Sequence, residues 1–233
     1  MKRLEIKGLE KLSAIDYPGK TCCIVFLANC NFRCPYCHNP DLIENPDRLD
    51  SMTGEEVIEF MKSRRKWIDG VCVTGGEPCL HEGLEDFLRK VRKEGFLTKL
   101  DTNGTSPDVV ERLIKEGLLD YIAMDVKAPP ERYKEITRSE VDTGKVRETA
   151  RIIMGSGVGY EFRTTVVPRL FGKDDMKRIG EWLKGAEKFF VQGFHGGTTL
   201  DREFGKEPAF SEKELEELAD IARKYFREVG VRP

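Results

Sequence analysis

Three cysteines lie close together in the first fifth of the chain, at Cys30, Cys34 and Cys37. They follow an apolar run over residues 22–28 that is typical of a buried strand, so one short loop carries all three thiols. Three thiolates on one loop can hold three irons of a [4Fe–4S] cluster, which usually takes four cysteines. No other cysteine is spaced to complete the set, so the fourth iron would keep an open coordination position. An open position on a metal centre indicates chemistry rather than a structural role.

A zinc ion held by the three cysteines and His38 is an alternative, because three cysteines and one histidine form a known zinc site. Zinc ligands usually come as two separated pairs, however, and here all four would lie between residues 30 and 38. A disulfide framework is disfavoured, because seven cysteines is an odd number and 233 residues can build a core without covalent cross-links. The remaining cysteines form no second motif: Cys22, Cys23, Cys72 and Cys79. Cysteines on predicted strands are often simply buried, whereas Cys79 lies near the expected site.

Composition narrows the class of protein. Basic and acidic residues nearly balance, 39 against 41, which disfavours a general nucleic-acid binder or a membrane-surface protein. No apolar run approaches the ~20 residues that span a bilayer. The first residues lack the apolar core of a secretory signal, and the cysteines are free, so we expect a cytoplasmic protein. We find no linker, and predict one domain over residues 1–233, with a core at about 20–195 and a C-terminal helix at about 211–229.

Strand-like and helix-like segments alternate along the chain. Six strands are predicted, at residues 21–28, 71–74, 96–101, 121–126, 159–167 and 189–191. Six helices are predicted to begin near residues 53, 84, 107, 145, 173 and 211; the first runs to about 68, and the first and last open with capping boxes. About six βα units imply a parallel sheet with outer helices, too few for a closed eight-stranded barrel. The pattern alone leaves a doubly wound sheet possible.

Polar or glycine-rich segments follow nearly every predicted strand. Active sites of barrel-type α/β folds gather at the carboxyl ends of the strands, so these segments are expected to share one pocket with the cysteine loop. Arg163 is a charged residue inside an otherwise apolar strand and needs a partner. The segments are Gly75-Gly76-Glu77, Asp101-Thr102-Asn103-Gly104, Asp125-Val126-Lys127 and His195.

The cysteine spacing, with Tyr36 just before the last cysteine, resembles the signature of the radical SAM enzymes. The longer string Cys34-Pro35-Tyr36-Cys37-His38-Asn39-Pro40-Asp41 is similar to the activating enzymes of glycyl-radical enzymes. The resemblance spans most of the chain and is strongest over residues 13–127. Within that branch the chain looks closest to the anaerobic ribonucleoside-triphosphate reductase activating proteins, which have a segment similar to Asp16-Tyr17-Pro18-Gly19.

The resemblance implies a partial (β/α)6 barrel, open at one side, with a [4Fe–4S] cluster on the three cysteines and S-adenosylmethionine beside it. Glycines let a backbone approach a ligand, and a carboxylate can accept from an ammonium group. The implied cofactor-binding residues are Tyr36, Gly75, Gly76, Glu77, Asp101, Thr102, Asn103, Asp125, Lys127, Arg163 and His195. Among them, Arg163 is expected near the ribose and carboxylate, and His195 beside the adenine. Oxygen ligands suit a hard cation, so Asp101, Thr102 and Asp125 are candidates for binding a monovalent cation.

The implied reaction is reductive cleavage of S-adenosylmethionine to a 5′-deoxyadenosyl radical, which takes a hydrogen atom from a glycine of a partner enzyme. The implied partners are a glycyl-radical protein and a flavodoxin- or ferredoxin-type electron donor. Asp16 is a candidate to receive the partner's loop, although its segment is equally typical of a turn before the first strand. Two other functions stay open: a radical SAM enzyme acting on a small molecule or nucleotide, and a non-enzymatic iron–sulfur or zinc-binding protein.

Overall fold

The computed structural model describes residues 4–233, and one sheet of eight strands forms its centre. Most of these strands are rich in β-branched and aromatic residues, which fit a pleated surface. The strands are β1 Ile6–Ser13, β2 Cys22–Leu27, β3 Gly70–Gly75, β4 Leu97–Thr102, β5 Tyr121–Asp125, β6 Gly159–Val166, β7 Lys188–Gly193 and β8 Glu228–Arg232.

Helices connect the parallel strands. The predicted capping box of α2 (Gly54–Ser63) is present: the Thr53 hydroxyl accepts the Glu56 N–H at 3.2 Å, and the Glu56 carboxylate accepts the Thr53 N–H at 2.7 Å. A second reciprocal pair of this kind, Ser211 and Glu214, opens α8 (Glu212–Ala222). The helices are α1 Pro40–Glu44, α2 Gly54–Ser63, α3 Leu84–Lys93, α4 Pro107–Lys115, α5 Tyr133–Thr137, α6 Thr143–Met154, α7 Lys173–Trp182 and α8 Glu212–Ala222.

The strand order in space equals the order in sequence, from β1 to β8. Strand β1 runs antiparallel to β2, and every later neighbour pair is parallel. A doubly wound sheet would reverse direction at a switch point, so this winding rules it out. Six βα units, from β2 to α8, form a partial (β/α)6 barrel. Within residues 4–233 no pairing links β8 back to β1, which leaves the barrel open at that side.

Both edges of the sheet differ from the prediction. The C-terminal helix predicted over 211–229 is wrong beyond Ala222, because Val229 lies in β8 and pairs with Phe189 of β7. Its apolar spacing fitted a helix, but pairing with an existing sheet edge overrides local pattern. Strand β1 was not predicted at all. The helix predicted to reach residue 68 ends at Ser63, because the chain must turn back to enter β3 at Gly70.

Among residues 4–233, no helix is long and apolar enough to cross a bilayer. The prediction that the chain start carries no secretory signal rests partly on residues 1–3, which lie outside the described range.

Apolar side chains form two cores. The larger one fills the space between the sheet and the outer helices. A smaller cluster lies inside the barrel and is formed by Tyr17, Cys22, Ile24, Cys72 and Tyr121. Side chains at every second position of a strand point to the same face. One set of alternate residues on each of β4, β5 and β6 therefore faces the same interior as this cluster. That interior carries charge, and it positions the candidate site.

Candidate active site

A cavity of about 430 Å³ lies at the carboxyl ends of the strands and reaches down to Ile24 and Asp16 inside the barrel. Every predicted site residue lines it except His195. The lining includes Cys30, Cys34, Tyr36, Cys37, Gly75, Gly76, Glu77, Asp101, Thr102, Asn103, Asp125, Lys127 and Arg163. Thr165 and Gln192, at the ends of β6 and β7, also line the cavity and were not predicted.

The loop that carries the three cysteines begins at Asn29, whose φ of 61° is a left-handed conformation that asparagine tolerates. Backbone hydrogen bonds then fix the loop from two sides. The Arg33 N–H donates to the Thr137 carbonyl at 2.8 Å, and the Leu200 N–H donates to the Cys37 carbonyl at 2.9 Å. The loop therefore has a defined shape set by α5 and by the segment after β7.

Two thiols of this loop, those of Cys30 and Cys34, are shielded from water. Burial raises the pKa of Cys30 to about 11 and that of Cys34 to about 12. These two thiols are therefore neutral, and iron would have to displace their protons, because metals bind the thiolate. Two donors approach the Cys30 sulfur, the Phe32 N–H at 3.4 Å and the Asn103 amide at 3.9 Å. Such N–H donors to cluster sulfurs tune the reduction potential of iron–sulfur centres.

His38 does not join the cysteines as the zinc alternative requires. Its Nε2 lies 2.7 Å from the His195 carbonyl, and its ring stacks on Phe194 with centroids 5.4 Å apart. His195 contributes only this carbonyl and stays exposed, so the structure does not place its ring in the cavity. The expected contact of His195 with an adenine has no support here.

The turn after β3 requires its two glycines. Gly75 has a φ of 116°, which side chains rarely adopt. A Cβ on Gly76 would lie 1.7 Å from the Asn29 carbonyl oxygen, so the turn could not pack against the start of the cysteine loop. The Glu77 N–H donates to that same carbonyl at 2.8 Å. The two loops are therefore in direct backbone contact.

Glu77 is 1 % exposed and accepts hydrogen bonds within the protein. Its Oε1 accepts from the Cys79 N–H at 3.0 Å and the Thr102 hydroxyl at 2.8 Å, and its Oε2 from the Asn103 N–H at 2.7 Å. Burial raises the pKa of Glu77, and these donors act against that rise. The carboxylate thus joins the ends of β3 and β4.

A chain of buried charges crosses β4, β5 and β6. Arg163 donates from Nη2 to Asp101 Oδ2 at 2.7 Å and from Nε to Asp125 Oδ1 at 2.6 Å. The Lys127 ammonium lies 3.3 Å from Asp125 Oδ2. The prediction that Arg163 needs a partner is confirmed. Its partners in the structure are two carboxylates of the protein itself, whereas the sequence led us to expect the carboxylate of a bound ligand.

The electrostatics of these groups are coupled. Burial acts to raise the pKa of Asp101, but Arg163 and Lys99 together hold it below its usual value. The pKa of Asp125 is likewise lowered, with burial opposed by Arg163 and Lys127. Burial acts to lower the pKa of Lys127, and Asp125 raises it instead. All of these groups are charged at neutral pH.

Sequence reasoning missed Lys99. Its side chain is 1 % exposed, and its ammonium forms an ion pair with Asp101 Oδ1 and lies 3.5 Å from the Cys72 sulfur. The sequence could have identified Lys99, because Lys99 and Asp101 are two residues apart in a strand and their side chains therefore share one face. A lysine in a buried parallel strand is rare unless it is paired.

Tyr36 is the one buried side chain among residues 4–233 whose polar atom has no hydrogen-bond partner. Its ring packs edge-on against Phe194, with centroids 6.5 Å apart. A buried hydroxyl without a partner is costly, so it calls for a group not contributed by the protein. Three thiols, a close glycine turn and an unpartnered hydroxyl at one cavity fit a cluster with a ligand beside it.

An open (β/α)6 barrel with three cysteines on the loop after its first parallel strand defines a class of cluster-binding enzyme. The family model of the radical SAM superfamily matches residues 24–183. The chain belongs to this superfamily, whose members use a [4Fe–4S] cluster and S-adenosylmethionine.

Similarity to individual proteins indicates the branch. A protein of Methanocaldococcus jannaschii, provisionally named a glycyl-radical enzyme activating enzyme, is 37% identical over all of this chain and 97% of its own length. The pyruvate formate-lyase-activating enzyme of Streptococcus mutans is 29% identical over 82% of this chain and 77% of its own. The GTP 3′,8-cyclase of Aquifex aeolicus is 30% identical over 94% and 68%. The chain is thus a radical SAM enzyme of the glycyl-radical activating branch.

A solved structure supports the fold. A radical SAM methyltransferase from Sphaerobacter thermophilus superposes with a TM-score of 0.71, at 14% identity over 93% of this chain and 67% of its own. At that identity the similarity concerns the fold alone.

Proposed function

We propose that the cavity binds a [4Fe–4S] cluster on Cys30, Cys34 and Cys37 together with S-adenosylmethionine, and that the enzyme installs a glycyl radical on a partner protein. The observation that carries this proposal is that the three thiols line the same cavity as Arg163 and Lys127. Thiols can hold iron, and cations can hold the methionine carboxylate of S-adenosylmethionine.

When bound, the cluster supplies one electron to the sulfonium, so that S-adenosylmethionine gives methionine and a 5′-deoxyadenosyl radical. The protein's own residues bind and orient the reactants. The Lys127 ammonium interacts electrostatically with the cysteine loop, because the Cys34 thiol contributes to raising the pKa of Lys127. Lys127 and Arg163 would hold the carboxylate, and the Gly75–Gly76 turn would let a ligand approach the backbone.

Two cations of this interior, Lys127 and Arg163, line the cavity. A carboxylate bound beside them would gain charge-assisted hydrogen bonds, which supports binding of the methionyl end here.

The substrate we propose is a glycine-containing loop of a partner protein. The radical takes a hydrogen atom from the glycine α-carbon, which leaves 5′-deoxyadenosine and a glycyl radical. The open side of the barrel between β1 and β8 suits a protein segment, and Asp16 lines the cavity. Activating enzymes of this family act on glycyl-radical enzymes, and the segment Asp16–Gly19 supports an anaerobic ribonucleoside-triphosphate reductase as the partner.

The electron needs a donor of low potential, and we propose a flavodoxin- or ferredoxin-type protein for that role. The candidate ligands for a monovalent cation are Asp101, Thr102 and Asp125, and their oxygens already have partners within the protein.

A second candidate function has one observation in its favour, the 30% identity to a GTP 3′,8-cyclase over 94% of this chain. In that reading the radical takes hydrogen from a nucleotide or another small molecule. The two candidates share the chemistry at the cluster and differ only in the substrate.

The first experiment tests the shared chemistry. The cluster is reconstituted without oxygen and reduced with dithionite, S-adenosylmethionine is added, and 5′-deoxyadenosine is quantified. We expect product from wild type, none from Cys34→Ala, and undiminished product from Cys23→Ala, a buried cysteine outside the cavity. Equal product from Cys34→Ala and wild type would contradict the assigned cluster ligands.

The second experiment separates the candidates. The reduced enzyme is mixed with a glycyl-radical reductase from the same genome, or with GTP, in the presence of S-adenosylmethionine. An EPR doublet of a glycyl radical on the reductase supports the activase function. A change in the GTP, with no radical on the reductase, supports the alternative.

A further inference from the structure

The two aspartates in the barrel interior have no carboxylate oxygen without a cationic partner. Asp101 Oδ1 accepts from the Lys99 ammonium, and Oδ2 from Arg163 at 2.7 Å. Asp125 Oδ1 accepts from Arg163 at 2.6 Å, and Oδ2 lies 3.3 Å from the Lys127 ammonium. A monovalent cation bound to any of these oxygens would share it with an ammonium or guanidinium group of the protein.

The third candidate ligand, Thr102, is engaged as well. Its hydroxyl donates to Glu77 Oε1 at 2.8 Å and accepts the Gly104 N–H at 3.1 Å. The Cys79 thiol lies 3.6 Å from the Thr102 hydroxyl oxygen. The Thr102 hydroxyl thus connects β4 to the residues that follow β3.

Charge argues in the same direction. Two cations already contact Asp101, Lys99 at Oδ1 and Arg163 at Oδ2, and all three side chains are largely buried. A further cation at Asp101 would lie beside these two positive charges where water screens them poorly, and burial of an uncompensated charge is strongly unfavourable.

We propose that Lys99 and Arg163 supply, as fixed groups of the protein, the positive charge that a monovalent cation would otherwise bring to Asp101 and Asp125. The site of this chain therefore binds S-adenosylmethionine without a monovalent cation. Lys99 is a positioning residue, because it touches Asp101 and Cys72 and does not line the cavity. The inference rests on the proposed function, since it concerns the same site.

The test compares cations at constant ionic strength. Full-length reconstituted protein is placed in KCl, NaCl or N-methyl-D-glucamine chloride, and two quantities are measured: the thermal midpoint, and the Kd of S-adenosylmethionine by equilibrium dialysis. For wild type we expect equal values in all three salts. A higher midpoint or tighter binding in KCl or NaCl overturns the proposal.

Lys99→Met removes the ammonium and keeps a long side chain. We expect a lower midpoint in N-methyl-D-glucamine chloride, and a rise of about 5 °C in KCl or NaCl as a cation occupies the vacated position. Thr164→Val is the matched control, because it removes a buried hydrogen bond to the Val126 carbonyl without changing charge. Its midpoint should fall equally in every salt.

A Lys99→Met protein that folds and shows no cation response also overturns the proposal. If this variant does not fold, the wild-type comparison still decides, because it needs no substitution. Neither readout depends on turnover. Failure of the proposed function would appear as absent 5′-deoxyadenosine, whereas failure of this inference would appear as cation dependence in wild type.

Discussion

The carboxylate of Glu77 accepts the backbone N–H of Asn103 at 2.7 Å, and this contact helps to join the loop after β3 to the loop after β4. The motif resemblance suggests that Glu77 meets the ligand directly. The structure adds a second role, because the side chain accepts hydrogen bonds from three donors of its own protein. Glu77 thereby holds two walls of the cavity at a fixed spacing.

Glu77→Gln should therefore destabilise the protein before any cofactor is present. The amide presents an N–H to one of the three donors, so a hydrogen bond to a charged group is lost, at about 1.5–3 kcal/mol. Urea unfolding of the apo protein measures the change. Glu59→Gln, which alters an exposed pair with Lys62, should leave the midpoint unchanged. Equal midpoints for the two variants would show that Glu77 does not join the strands.

Asp101→Asn should cost more. It leaves the buried cations of Lys99 and Arg163 with one fewer negative charge between them, and loss of one member of a buried ion pair costs about 3–5 kcal/mol. The same urea experiment checks this. Asp174→Asn breaks a comparable pair with Lys177 at the surface and is expected to have little effect. A small effect of Asp101→Asn would mean that the interior network is loose or hydrated.

The apo protein should lose stability in alkaline solution. Burial raises the pKa of Cys30 to about 11 and of Cys34 to about 12. The unfolded thiols ionise near pH ~8.5, so the stabilisation is complete below that pH. It is lost as pH rises towards the folded values, because the unfolded chain then releases protons that the folded chain keeps. Thermal midpoints measured from pH 8 to 10.5, under reducing conditions, should fall less steeply for Cys34→Ser. Identical slopes would contradict the burial of that thiol.

Gly76→Ala should disturb the turn beside the cysteine loop. The added methyl group would lie 1.7 Å from the Asn29 carbonyl oxygen, and forcing an extra group into a packed position costs about 1–3 kcal/mol. We expect a lower thermal midpoint and less iron per chain after reconstitution. Gly155→Ala is the control, since a Cβ there meets nothing closer than 3.5 Å. Full iron content in Gly76→Ala would show that the loop adapts.

Much of the site could be predicted because the informative residues are close in sequence. The cysteine spacing and the polar segments after successive strands indicated one pocket, and parallel strands bring their carboxyl ends to one edge. His195 was the exception. It follows β7 as expected, but it is exposed and does not line the cavity, and no local pattern specifies the direction of a loop side chain.

The sequence by itself determined the alternation of strands and helices, the cluster loop and the family. Only the tertiary structure decided which strands stand at the two edges, because β1 and β8 exist through pairing with a neighbour and carry weak local signals. It also decided that Arg163 meets Asp101 and Asp125, and that Lys99 faces the interior. Parallel strands are buried on both faces, so the hydrophobic pattern of a strand does not indicate which face lines the barrel. The register and curvature of the sheet determine that face.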